Sequence, residues 1–205
     1  MLRFSANLGF LWPDRPLLGR IEAAAAAGFK AVELHWPYDV PPEFVRQACE
    51  RHGLTLLGLN TPAGDPAKGD FGLAAVPGRE AEFQAGFDRA VSYCRASGAI
   101  AIHAMAGVVP TELRAKARAV FKANLMQAAD KAAVHDLTVI LEAINPRDKP
   151  GYFYSKNRPR SDRRRPKPGR AGRGRNLLPG DLPCPRRARL RGLDRVRIQA
   201  PGSDR

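Results

Sequence analysis

The sequence predicts an α/β chain of the (β/α)8 TIM-barrel type, incomplete at about five β/α units and followed by a basic tail. Three observations carry that expectation. Short apolar runs alternate with longer segments of helical period through the first 155 residues. The runs are apolar on both alternating faces, as strands of a helix-covered parallel sheet must be. Polar residues gather where those runs end, which is where a barrel builds its site.

The elements follow in order. RFSAN (3–7) opens the series as a strand. Leu17, Leu18, Ile21 and Ala24–Ala25 recur at the three-to-four spacing of an amphipathic helix, which Gly28 can end. AVEL (31–34) is a compact strand, and Phe44, Ala48 and Cys49 mark a short helix started by the prolines at 41–42. LTLLGL (54–59) is the next buried strand. Phe83, Phe87, Ala90–Val91 and Cys94 form a helical stripe that stops near Gly98. AIAIH (99–103) follows, then a long helix from Thr111 with Leu113, Ala117, Val120–Phe121, Leu125 and Ala128–Ala129 on one side. LTVILEA (137–143) closes the series as a strand.

An open doubly wound sheet is the competing architecture. It lacks its usual support, because no Gly-x-Gly-x-x-Gly follows the first strand and no P-loop follows any. The strand-end polar residues are Asn7, Glu33 with His35, Asn60, His103, and Glu142 with Asn145. They favour the barrel.

Charge divides the chain sharply. Residues 1–155 carry 17 Lys/Arg against 16 Asp/Glu, whereas residues 156–205 carry 17 against 4, so the formal +14 belongs almost wholly to the tail. Cys49, Cys94 and Cys184 are widely spaced and form no Cys-x-x-Cys pair, which argues for a reducing compartment and against a disulfide framework or zinc site. No apolar run approaches the roughly 18–20 residues of a membrane span, and no long apolar stretch follows Arg3. A soluble cytoplasmic protein is the expectation.

Glu142 lies inside an apolar run, and a carboxylate there must be paired, metal-bound or functional, because burying an isolated charge is costly. A Glu satisfied by an interior Lys or Arg explains it as well as chemistry does. His103 at a strand end is a packing histidine or a substrate contact, and Glu33 with His35 is equally open. Trp36 and Tyr38 read as wall or core, and Asn7 and Asn60 as caps of strands or turns. Together these groups offer carboxylate and imidazole ligands at one rim, which suits Mg or Mn better than a structural zinc.

Five stretches carry a family resemblance: SANLGFLWPDRP (5–16), AAAAAGFKAVELHWPYD (23–39), LNTPAGDPAKGDFGLAAVPGREAEF (59–83), IHAMAG (102–107) and LEAINPRDKPGYF (141–153). In this order they resemble the hydroxypyruvate isomerase family, within the xylose-isomerase-like barrels, over about residues 1–154. The resemblance implies interconversion of hydroxypyruvate with tartronate semialdehyde, or of a related keto acid, by proton transfer through an enediol. It places Glu142 as the fifth-strand proton carrier and as a ligand of a divalent metal (Mg or Mn), and His103 as a fourth-strand residue binding substrate. The implied partner is a small keto acid rather than a membrane or nucleic acid, with homo-oligomerisation left open.

The resemblance stops after Ser155. The last 50 residues hold no aromatic, no Glu, 15 Arg and 13 Pro plus Gly, a composition that cannot support a packed core. Three readings compete: a nucleic-acid-binding arm, since GRAGRGR (169–175) resembles RNA-binding motifs; a solvated disordered tail; and a shifted reading frame. The last is favoured, because G- and C-rich codons read out of register yield Arg, Pro, Gly and Ala. Dropping one base within GDLPCP (180–185) permits Ile-Tyr-His, the sixth-strand pattern of the family. On that reading the missing strands take a second glutamate with them, and isomerase activity is expected to be impaired.

Overall fold

The computed structural model describes residues 4–155. The expectations for the tail, its reading frame, its disorder and Cys184 lie outside the described residues.

Five parallel strands, β1 (Ala6–Asn7), β2 (Ala31–Glu33), β3 (Thr55–Asn60), β4 (Ala101–His103) and β5 (Thr138–Ile140), form one sheet in chain order. Each is joined to the next by a helix: α1 (Leu17–Ala26), α2 (Pro42–Arg51), α3 (Glu80–Ser97) and α4 (Arg114–Ala133). A doubly wound sheet must reverse its strand order at a switch point. This sheet never reverses, and each helix packs against the next, α1 on α2, α2 on α3 and α3 on α4. That is the wall of a barrel, five strands of it.

The periodicities that predict the helices also predict their inner faces. Ile21 and Ala24 of α1 are fully buried, as are Phe87 and Ala90 of α3. Gly98 ends α3 in the left-handed conformation, its N–H bonded to the Cys94 carbonyl. Burying a side chain such as Phe87 contributes about 2–3 kcal/mol of transfer free energy. Cys49 and Cys94 are buried free thiols, and burial pushes Cys94 up to about 12 and Cys49 up to about 11, so both behave as small core hydrophobes. Among the described residues no helix is long and apolar enough to cross a membrane.

Four details differ from the sequence expectation, the first being Leu18, which is exposed while Ile21, Ala23 and Ala24 form the buried face of α1. Phe44 is half exposed, because a helix starting at Pro42 turns Val45, Ala48 and Cys49 inward instead. Thr111–Leu113 form a 3-10 turn rather than the first turn of α4, which leaves Leu113 partly exposed. The fifth strand stops at Ile140, short of Glu142, because the chain leaves the sheet there: Ile144 N–H bonds the carbonyl of Tyr154.

Candidate functional site

Four strands end on the polar residues singled out in the sequence. Asn7, Glu33, Asn60 and His103 are the last residues of β1, β2, β3 and β4. Parallel register then places Asn7 beside Glu33 and Asn60 beside His103. In-phase termination of the strands therefore collects these side chains at one end of the sheet.

The tightest pair is buried. His103 and Asn60 are 3% and 6% exposed, and His103 Nδ1 lies 3.0 Å from Asn60 Oδ1. An amide oxygen can only accept, so this contact places a proton on Nδ1 and orients the ring. On β2, the Ser5 hydroxyl donates to Glu33 Oε1 at 2.7 Å. His35 packs edge-on against Phe10 and against Trp36. It reaches that place because residue 9 is glycine; a Cβ there would fall inside the His35 ring.

Three loops close over these strand ends, and backbone hydrogen bonds stitch them together. The loop after β3 bonds the loop after β4 through Ala74 N–H to Met105 O and Ala75 N–H to Ala106 O. The loop after β4 bonds the loop after β5 through Val109 N–H to Gly151 O, while Phe153 N–H returns to Gly107 O. Gly107 permits the join, with φ of 92° and no Cβ to strike the Gly72 carbonyl. Asn124, a buried polar residue of α4, donates to Ala74 O at 2.9 Å and holds the first loop from behind. At the base of that loop Arg79 bridges Asp70 and Glu82. Burial alone would raise the Asp70 carboxyl, but the Arg79 hydrogen bond, the Asp65 N–H and the surrounding cations outweigh it and hold Asp70 below the usual carboxylate range.

Glu142 sits two residues past β5, half-buried, in this stitched layer. In the same loop Tyr152, 2% exposed, accepts the Ala106 N–H at 2.9 Å through its hydroxyl oxygen. Burial pushes the Tyr152 hydroxyl well above its ordinary value, and the Glu142 carboxylate adds to that against the Ala106 N–H. Phe71 stacks edge-on between Tyr152 and Trp36, making an aromatic wall across the rim.

The structure thus gathers Glu33, Asn60 and His103 at the strand ends, with Glu142 in the loop that follows β5. It assigns other residues humbler work. Asn7 Oδ1 accepts the Gly9 N–H, Asn145 Oδ1 accepts the Arg147 N–H, and both are turn caps. Tyr38 donates to Asn60 O and packs on Tyr93, with its hydroxyl pushed up by burial, so it belongs to the core. Sequence reasoning missed Ser5, Asn124, Tyr152 and Thr61, whose buried hydroxyl accepts the Met105 N–H at 3.1 Å. Asn124 alone left a signal, a polar residue three after Phe121 and four before Ala128 on a buried stripe. A cleft of about 310 Å3 opens elsewhere, between the loop after β3 and α3, lined by Pro62, Leu73, Phe83 and Arg89 among others. It contains neither Glu142 nor His103.

The divalent ion expected at Glu142 is not supported by these donors. Among the described residues no three His, Cys, Asp or Glu side chains converge as a metal site, whereas Mg or Mn takes about six oxygen-rich ligands.

A profile described as the xylose isomerase-like TIM barrel matches residues 21–162. The 2-oxo-tetronate isomerase of Cupriavidus necator is 44% identical over 157 residues, 76% of this chain and 60% of that protein. The hydroxypyruvate isomerase of Escherichia coli is 38% identical over 159 residues, covering 77% and 62%. A crystal structure described as an AP endonuclease, family 2, from Brucella melitensis superposes with a TM-score of 0.72 at 40% identity, covering 75% of this chain and 59% of that one. The chain spans about three fifths of the length of the curated relatives it matches. Strand order, strand-end polar residues and these matches agree: the chain belongs to the xylose isomerase-like TIM barrel family.

Proposed function

We propose that the rim performs the proton transfer of a hydroxypyruvate isomerase-like enzyme, with Glu142 as the proton carrier. Glu142 takes a proton from the hydroxyl-bearing carbon beside the ketone of hydroxypyruvate, leaving an enediol. Return of a proton to the former carbonyl carbon, with the hydroxyl proton passing between the two oxygens, gives tartronate semialdehyde. His103, its imidazole oriented by Asn60, binds the substrate oxygens. The observation that supports this reading is the position of Glu142, a half-buried carboxylate two residues past β5, in the loop that backbone hydrogen bonds tie to the loop after β4. The names borne by the relatives, hydroxypyruvate isomerase and 2-oxo-tetronate isomerase, support the substrate class.

Full turnover needs a second proton carrier, which the resemblance assigns to strands later than β5. Residues 156–205 contain no Glu. We infer that the 205-residue chain removes the first proton but converts little substrate.

The two halves are separable in deuterium oxide. The chain should exchange the carbon-bound hydrogens of hydroxypyruvate for deuterium above the uncatalysed rate, read by proton NMR, with little tartronate semialdehyde formed. Glu142→Gln should lower that exchange by about 10²–10⁴-fold, the usual weight of a positioned general base. Exchange by Glu142→Gln at the parent rate would remove Glu142 from the mechanism. Brisk conversion by the parent chain would overturn the inferred impairment.

A further inference from the structure

Resting on that reading, we propose that Lys149 is the specificity-determining residue of the rim, the cation that receives the carboxylate of a 2-keto acid. A 2-keto acid carries its carboxylate one bond from the ketone, so a rim that orients the ketone toward Glu142 also needs a donor for that anion, and a charged donor holds it best.

Lys149 is placed to be that cation. Its ammonium lies 4.7 Å above the centre of the Phe71 ring, and Phe71 in turn stacks on Tyr152 and Trp36 at 6.0 and 5.9 Å. The half-buried side chain therefore crosses from the loop after β5 to the loop after β3, over the aromatic wall. Its backbone is held at both sides: Lys149 N–H bonds Asn145 O, and Lys149 O accepts the N–H of Tyr152 in the same loop that carries Glu142. Among the described residues Lys68 and Lys131 are committed to carboxylates, whereas Lys149 is the lysine that rests on an aromatic ring of the rim. An ammonium resting on a ring face keeps its N–H donors available for an anion. Lysine suits this work as a compact charge on a flexible stem.

The test compares hydroxypyruvate with dihydroxyacetone, which has the same hydroxyketone group and no carboxylate. Dissociation constants are measured by NMR titration of the full chain. Lys149→Met keeps a flexible apolar side chain on Phe71 and should weaken hydroxypyruvate roughly 10–100-fold, the weight of one charge-assisted hydrogen bond, with dihydroxyacetone unchanged. Lys149→Arg, which keeps the charge, should retain the preference for hydroxypyruvate. Unchanged hydroxypyruvate binding by Lys149→Met, or equal weakening of both ligands, overturns the assignment. In that event the loss of deuterium exchange in Glu142→Gln still stands as the test of the proposed reaction, so the two failures are distinguishable. A parent chain that binds no hydroxypyruvate overturns both.

Discussion

Asn60 and His103 end adjacent strands as register partners, and their side chains meet at 3.0 Å with both residues almost wholly enclosed. Breaking this pair leaves a buried polar group stranded rather than merely losing a contact. Asn60→Leu should destabilise the chain by about 1–3 kcal/mol, measured by urea unfolding. A double-mutant cycle with His103→Leu checks the cause: removing both polar partners should cost less than the sum of the single changes. Additive losses would show that the two side chains act separately.

Asn124 holds the loop after β3 from α4. It donates to Ala74 O and accepts from Gln84 Nε2. Asn124→Leu preserves volume but strands the Ala74 carbonyl, for an expected loss of about 1–3 kcal/mol in the same unfolding measurement. Amide exchange at Ala74 and Ala75, which bond the loop after β4, should rise with it. Unchanged protection there would refute the role in anchoring the loop.

The Asp70–Arg79–Glu82 cluster should make stability fall in acid. Hydrogen bonds from Arg79 hold Glu82 below the usual carboxylate range, and Asp70 is held low for the reasons above, so each binds its proton less readily folded than unfolded. Their contribution is present above the ordinary carboxylate pKa and disappears as pH falls through the lowered folded values. Melting temperatures of the parent should drop between about pH 5 and pH 2. The Asp70→Asn, Glu82→Gln double variant should show a shallower drop; a parallel curve would assign acid sensitivity to other groups.

Most of the fold was legible in the sequence because helix faces and strands are local patterns. Phe83, Phe87, Ala90 and Cys94 announce the buried face of α3 at the spacing of the helix itself, whatever it packs against. Strand-end residues were equally legible: a polar residue after an apolar run needs water or a partner wherever the strand goes. Phe44 was misplaced because Val45 takes the buried place beside Ala48 and Cys49, and Leu113 because its turn is 3-10 rather than α-helical, and neither alternative is visible in apolar spacing alone.

What the sequence by itself determined was the alternation of strand and helix, the inward faces, and the candidacy of Glu142 and His103. Tertiary structure alone decided which groups meet. Tyr152 reaches the N–H of Ala106 and Lys149 reaches Phe71 only because three loops, distant along the chain, are joined by backbone hydrogen bonds. Periodicity records which side of an element is apolar. It carries no record of which turn lies across from which, since that depends on strand register and loop closure over the whole sheet.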